Sequence, residues 1–108
     1  LTKIVKYNYI KIKTFGQIVK ENRENAGQPL RKVAAYLDID QAILSKIEHG
    51  KRKATRDQVL KLAEYFETEK ESLLISWLSD KILYEVGNED LAKEALKVAE
   101  QKLNYHSK

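Results

Sequence analysis

Gln41, Ala42, Ser45 and Lys46 fall at the spacing of one helical face, and a basic run, Lys51-Arg52-Lys53, follows shortly after. The chemistry these residues offer is hydrogen bonding and charge, not bond making. A Gln amide matches the N6–H and N7 of adenine bidentately, and a Lys ammonium donates to guanine O6 and N7. Ala42 permits close approach to a thymine methyl, and Ser45 adds a hydroxyl on the same face. The basic run suits phosphate oxygens, and His49 stands at the edge of the same surface. The blander reading of each is a solvated helix face and a solvated loop. Ile43 reads either as partial core or as an apolar contact. No catalytic pattern competes with this chemistry. His49 and His106 stand 57 positions apart, cysteine is absent, and no Gly-rich phosphate loop occurs. The expectation is a non-enzyme without a cofactor.

The elements that must position these residues are legible in PLRKVAAYLDIDQAILSKIEHG, residues 29–50. Leu30, Val33, Ala34 and Leu37 follow the i, i+3, i+4, i+7 spacing of one buried helical face. Asp38-Ile39-Asp40 breaks the pattern. Asp40 then suits an N-cap whose carboxylate accepts the free amides of a second helix. Ile39 and Leu44 are spaced for a hydrophobic staple, and Leu44 and Ile47 face inward. Gly50 fits a left-handed helix stop. Two helices at a fixed angle, small and polar side chains outward on the second, meet the geometric need of a major-groove reader. The start of the first of these helices, at Leu30 and Arg31, presents free amides and a positive dipole end that suit a phosphate. The expected backbone contacts are therefore Leu30, Arg31, Asp40, His49, Lys51, Arg52 and Lys53.

Over residues 14–73 the chain resembles the helix-turn-helix of the Cro and phage-repressor class, the XRE-like regulators. The resemblance rests on Arg23, Gly27, Val33-Ala34, Ile39, the run from Ser45 to Gly50, Lys51-Arg52-Lys53 and Leu62-Ala63. The family usually has a Ser or Thr cap and a Gln where this chain has Pro29 and Leu30, and Gly in the turn where this chain has Asp38. Asp tolerates a left-handed backbone better than most residues, so the turn survives. The resemblance implies an ion pair between Arg23 and Glu48, linking the first and third helices.

Around that core, Thr14 caps a helix through Ala26 with Phe15, Ile18 and Val19 inward, stopped by Gly27. Thr55 and Gln58 form a capping-box pattern before Val59, Leu62, Ala63 and Phe66; Thr68 and Glu71 repeat it, and Asn88 caps a last helix. Between them lies LLISWLSDKILYEV, apolar nearly all round, which one small domain cannot cover. Leu74, Trp77, Leu78, Lys81, Ile82 and Tyr84 are therefore expected to form a homodimer interface. Residues 1–13 read as a strand or an extended arm.

The fold expected is all-α: a five-helix repressor-type domain with an added C-terminal helix and an N-terminal strand or arm. It divides as arm 1–13, DNA-binding unit 14–73 and dimerising helices 74–108. The 108 residues suit one small core. Residues 1–53 carry 12 Lys and Arg against 5 Asp and Glu, a charge of +7, while residues 54–108 carry −3. The basic half contains the candidate reading helix, as phosphate binding requires. No apolar run approaches membrane-spanning length and no signal-peptide pattern opens the chain, so a bacterial or phage protein of the cytoplasm is expected. The expected function is a dimeric, sequence-specific regulator on double-stranded DNA. The alternative is an antitoxin-type module whose C-terminal helices hold a protein partner.

Overall fold

The computed structural model describes residues 13–107. The expected arm lies, save for Lys13, outside the described residues. Those residues form six α-helices and no strand. They are α1 (Phe15–Asn25), α2 (Leu30–Leu37), α3 (Gln41–Glu48), α4 (Arg56–Tyr65), α5 (Lys70–Val86) and α6 (Ala92–His106).

Side chains close the front of α1 and α4. Thr14 Oγ1 accepts the Gln17 amide at 3.1 Å, and Gln17 Oε1 accepts the Thr14 amide at 2.8 Å. Thr55 and Gln58 repeat this reciprocal box at 3.2 and 2.9 Å. Each box satisfies two amides that a helix start otherwise leaves without a partner. The turn between α2 and α3 passes through Asp38 at φ 58, ψ 45, and the Ile39 amide bonds back to the Ala34 carbonyl at 3.0 Å. The αL residue reverses the chain within three residues, as a Gly would with less strain.

Three expected caps differ from the structure. Asp40 occupies the N-cap of α3, but its carboxylate makes no capping bond; its carbonyl takes the Ile43 and Leu44 amides. Thr68 does not open α5. Its amide bonds to the Ala63 carbonyl at 2.9 Å beyond Glu67 at φ 53, so it belongs to the stop of α4, and Glu69 is the N-cap. Asn88 does not cap α6 either. Two successive turns, Glu89 to Val86 and Ala92 to Glu89, take up the chain after Gly87, and α6 begins behind Leu91.

The core lies among α1 to α5. Val19, Val33, Leu44, Val59 and Leu62 are completely enclosed, with Phe15, Ile18, Leu37, Ile47, Leu73 and Trp77 around them. Each fully buried Val or Leu contributes about 1.5–3 kcal/mol before entropy is charged against it. The second half of α5 and all of α6 stand apart from this core. No residue of α6 is buried, and Leu91 at its N-cap and Leu103 on it remain 70% and 69% exposed. Among the described residues no helix is long and apolar enough to cross a membrane.

Candidate nucleic-acid interface

α3 shows two faces. Leu44, Ile47 and Glu48 are buried behind it. Gln41, Ala42 and Lys46 are exposed in front, with Ser45 half-buried beside them. Ile43 is half-buried against the core. The outward face therefore carries an amide, a methyl, a hydroxyl and an ammonium group in about two turns. That set has the donors, acceptor and apolar contact needed to address base edges.

Two contacts fix α3 against α1. Arg23 Nε donates to Glu48 Oε2 at 2.7 Å, and Arg23 Nη2 donates to Glu48 Oε1 at 3.2 Å. Arg23 Nη1 also donates to the Gln28 carbonyl at 3.0 Å, so one guanidinium joins α1, α3 and the loop that leads to α2. The Glu48 side chain is 1% exposed. Its hydrogen bond, ahead of its charge, raises the Arg23 pKa above the ordinary value, against the opposing effect of burial. Glu48 thus turns a negative charge inward, away from a surface that would meet phosphate. The second contact is a close approach at Gly16. A Cβ there would stand 2.4 Å from the carbonyl oxygens of both Ile47 and Glu48. Only a residue without a side chain lets α1 lie on the end of α3. Sequence reading passed over Gly16. Its signal is a Gly one residue inside a helix, a place where Gly costs about 1 kcal/mol relative to Ala unless packing requires it.

The flanks of α3 are polar and open. Pro29 is the N-cap of α2 and supplies no side-chain cap, so the first-turn amides at Leu30 and Arg31 depend on an external acceptor. The Leu30 side chain rests against the core, which leaves its amide as the group able to meet a phosphate. Arg31 and Asp40 are exposed. Beyond α3, the exposed His49 donates from Nδ1 to the Ser45 carbonyl at 2.7 Å. Gly50 at φ +74 stops the helix, and the Lys51 and Arg52 amides fold back to the Lys46 carbonyl at 2.8 and 3.3 Å. This holds the exposed Lys51-Arg52-Lys53 loop close to the last turn of α3.

Residues 16–78, more than half of the chain, match the family model described as a helix-turn-helix domain. The chain belongs to the helix-turn-helix domain family. Neither the comparison with curated proteins nor that with solved structures gives a match. Membership supports a DNA-binding regulator. In the helix-turn-helix, α2 is the first helix, Asp38 to Asp40 the turn, and α3 the second helix.

The expected dimer residues divide. Leu78, Lys81, Ile82 and Tyr84 are exposed on α5, but Leu74 is half-buried against the core and Trp77 is 7% exposed. Trp77 belongs to the interior of one chain: its indole Nε1 donates to the Ala54 carbonyl at 2.9 Å. The first half of α5 packs on α4 and α1, so the apolar surface left for another chain begins at Leu78.

Asp80 ties α5 to the start of α1 by accepting the Phe15 amide on Oδ2 at 2.8 Å. Burial raises its carboxyl pKa above the ordinary range, more than that hydrogen bond lowers it. A raised carboxyl pKa means that its contribution to stability is complete below the unfolded value and is lost as pH rises through the folded value. Asp80→Asn keeps a carbonyl for Phe15 and removes the charge. The variant should therefore be more stable than the parent at neutral pH, with the advantage shrinking as pH falls through the raised pKa of the parent carboxyl and its proton returns. Urea unfolding across this range measures it; an advantage that does not change with pH would show that the charge is not the cause.

Proposed function

We propose that this chain is a sequence-specific transcriptional regulator of the Cro and phage-repressor type. It places α3 in the major groove as a homodimer on a pseudo-palindromic operator. The observation that carries the reading is the outward face of α3, with Gln41, Ala42 and Lys46 exposed over a backing of buried Leu44, Ile47 and Glu48. Gln41, at the first helical position, reads adenine; Lys46 and Ser45 lie one turn on. The amides at Leu30 and Arg31, the His49 edge and the loop from Lys51 to Lys53 set the register on the phosphates. Regulation follows from occupancy, by excluding or recruiting polymerase.

A competition assay between a selected duplex and a scrambled one tests the assignment. Gln41→Ala should cost about 1–3 kcal/mol on the selected site and little on the scrambled one. Arg52→Ala should weaken both alike and reduce the magnitude of the log K against log salt slope by about one unit. Equal losses for Gln41→Ala on both duplexes would move Gln41 to the backbone, and an unchanged slope would remove the loop from the interface.

The dimer is proposed through the outer half of α5 together with α6. Leu78 and Ile82 are 40% and 48% exposed, and the exposed apolar surface extends to Leu91. A two-fold pairing covers such a surface isologously and can set two reading helices about 34 Å apart. Leu78→Asp with Ile82→Asp, both outside the core, should give folded monomers with greatly reduced operator affinity. Sedimentation equilibrium at micromolar protein is the measurement. A wild-type chain that stays monomeric and does not aggregate would favour the second reading, in which this surface holds a different protein, as in an antitoxin.

A further inference from the structure

A groove of about 440 Å³ runs between the basic loop after α3 and the outer half of α5. Lys51, Arg52 and Lys53 line one side of it, and Trp77, Leu83 and Tyr84 form much of the other. Lys81 joins the basic side from α5. Lys53 Nζ lies 4.0 Å from the centre of the Tyr84 ring, and Lys81 Nζ lies 3.7 Å from that of Trp77. The rings hold two ammonium groups in place over an apolar wall, an arrangement that attracts a cation without neutralising it. None of the four basic residues forms an ion pair among the described residues. The one acid on the lining, Asp80, has turned Oδ2 to the Phe15 amide.

Charge and polarity together define what would fit. A neutral apolar molecule would leave the ammonium groups without an anion. A bare inorganic anion would leave Leu83 and Tyr84 uncovered. The volume lies within the usual range of small-molecule sites, about 300–1,000 Å³. We propose that this groove binds a small amphipathic anion, a carboxylate on an apolar body, and that its occupancy regulates the adjoining basic loop. The anionic end pairs with Lys53 and Lys81, and the body lies along Leu83 and Tyr84. The regulatory half rests on the DNA-binding reading above: a bound carboxylate takes the charge of Lys53 and draws the loop away from phosphate, so DNA affinity falls.

Octanoate is a suitable probe, with octan-1-ol and inorganic phosphate as controls, in nitrogen-15 correlation spectra of the full chain without DNA. Trp77 is the only tryptophan, so its indole N–H reports the groove without ambiguity. Octanoate should shift that signal and the amides from Lys51 to Ala54 saturably, with weaker effects from octanol and phosphate. Lys81→Ala, an exposed substitution, should weaken octanoate about tenfold, the loss of one charge-assisted contact. Equal shifts by octanol, or shifts confined to α6, would overturn the site. Fluorescence anisotropy on a DNA duplex then follows, with octanoate expected to lower affinity severalfold. Octanoate binding that leaves DNA affinity unchanged would overturn the regulatory half. A chain that binds octanoate but no DNA would sink the DNA reading and leave the site standing. One that binds DNA but not octanoate would do the reverse.

Discussion

Arg23→Ala should cost about 3–5 kcal/mol, the range for leaving one partner of a buried ion pair without its counter-charge. Glu48 keeps its place behind α3 with a side chain 1% exposed, so water cannot replace the lost guanidinium without opening the fold. The Gln28 carbonyl loses its donor in the same step. Since a small domain is stable by only about 5–15 kcal/mol, the variant should unfold at much lower urea or not fold at all. The pair does not owe its place to large net stability. Replacing both members, Arg23→Met with Glu48→Leu, should recover most of the loss, because the desolvation cost of both charges disappears with them. DNA affinity should recover less than stability, since the bidentate bond also fixes the angle of α3. A single Arg23→Ala variant within about 1 kcal/mol of the parent, the level of an exposed pair, would show that Glu48 finds solvent or another donor.

Gly16→Ala should lower stability by about 1–3 kcal/mol, the range for inserting volume into a packed interior. The upper end is expected. The new methyl would meet two carbonyl oxygens at 2.4 Å and a carbonyl carbon at 2.8 Å, all backbone, so no side-chain rotation relieves the clash. Helix propensity predicts the opposite sign, a gain of about 1 kcal/mol for Ala over Gly. A net loss therefore isolates the close approach of α1 to α3. The relief available is a displacement of the end of α3, and a shift there moves Lys46 and the basic loop together. Operator binding should fall more than binding to random sequence, because base contacts tolerate displacement less than phosphate contacts do. Thermal unfolding and the two-duplex competition assay give the two readings; a stabilised variant would show that the helices part without cost.

Local signals sufficed for much of this molecule. The 3.6-residue spacing of Val33, Ala34 and Leu37, the stop at Gly50 and the Thr55–Gln58 box all act within one or two turns, so adjacent residues encode them. The outward placement of Gln41, Ala42 and Lys46 follows from the same period. Where local signals compete, the sequence alone misleads. Thr68 and Asn88 have the right side chains to cap helices, but the Thr68 amide closes the stop of α4 and the Glu89 amide closes a turn back to Val86, so the next helices start behind Glu69 and Leu91. Tertiary structure alone decided three further matters. It took Trp77 and Leu74 into one chain and left Leu78 and Ile82 outside, because α5 is apolar on more faces than the core can cover and periodicity does not say which face it covers. It required Gly at position 16, because the distance between two helix backbones is not a property of either helix. It also brought Lys53 to Tyr84 and Asp80 to Phe15, across 31 and 65 positions of chain. Contacts at that separation arise from how helices cross, and no local pattern of residue types records the crossing.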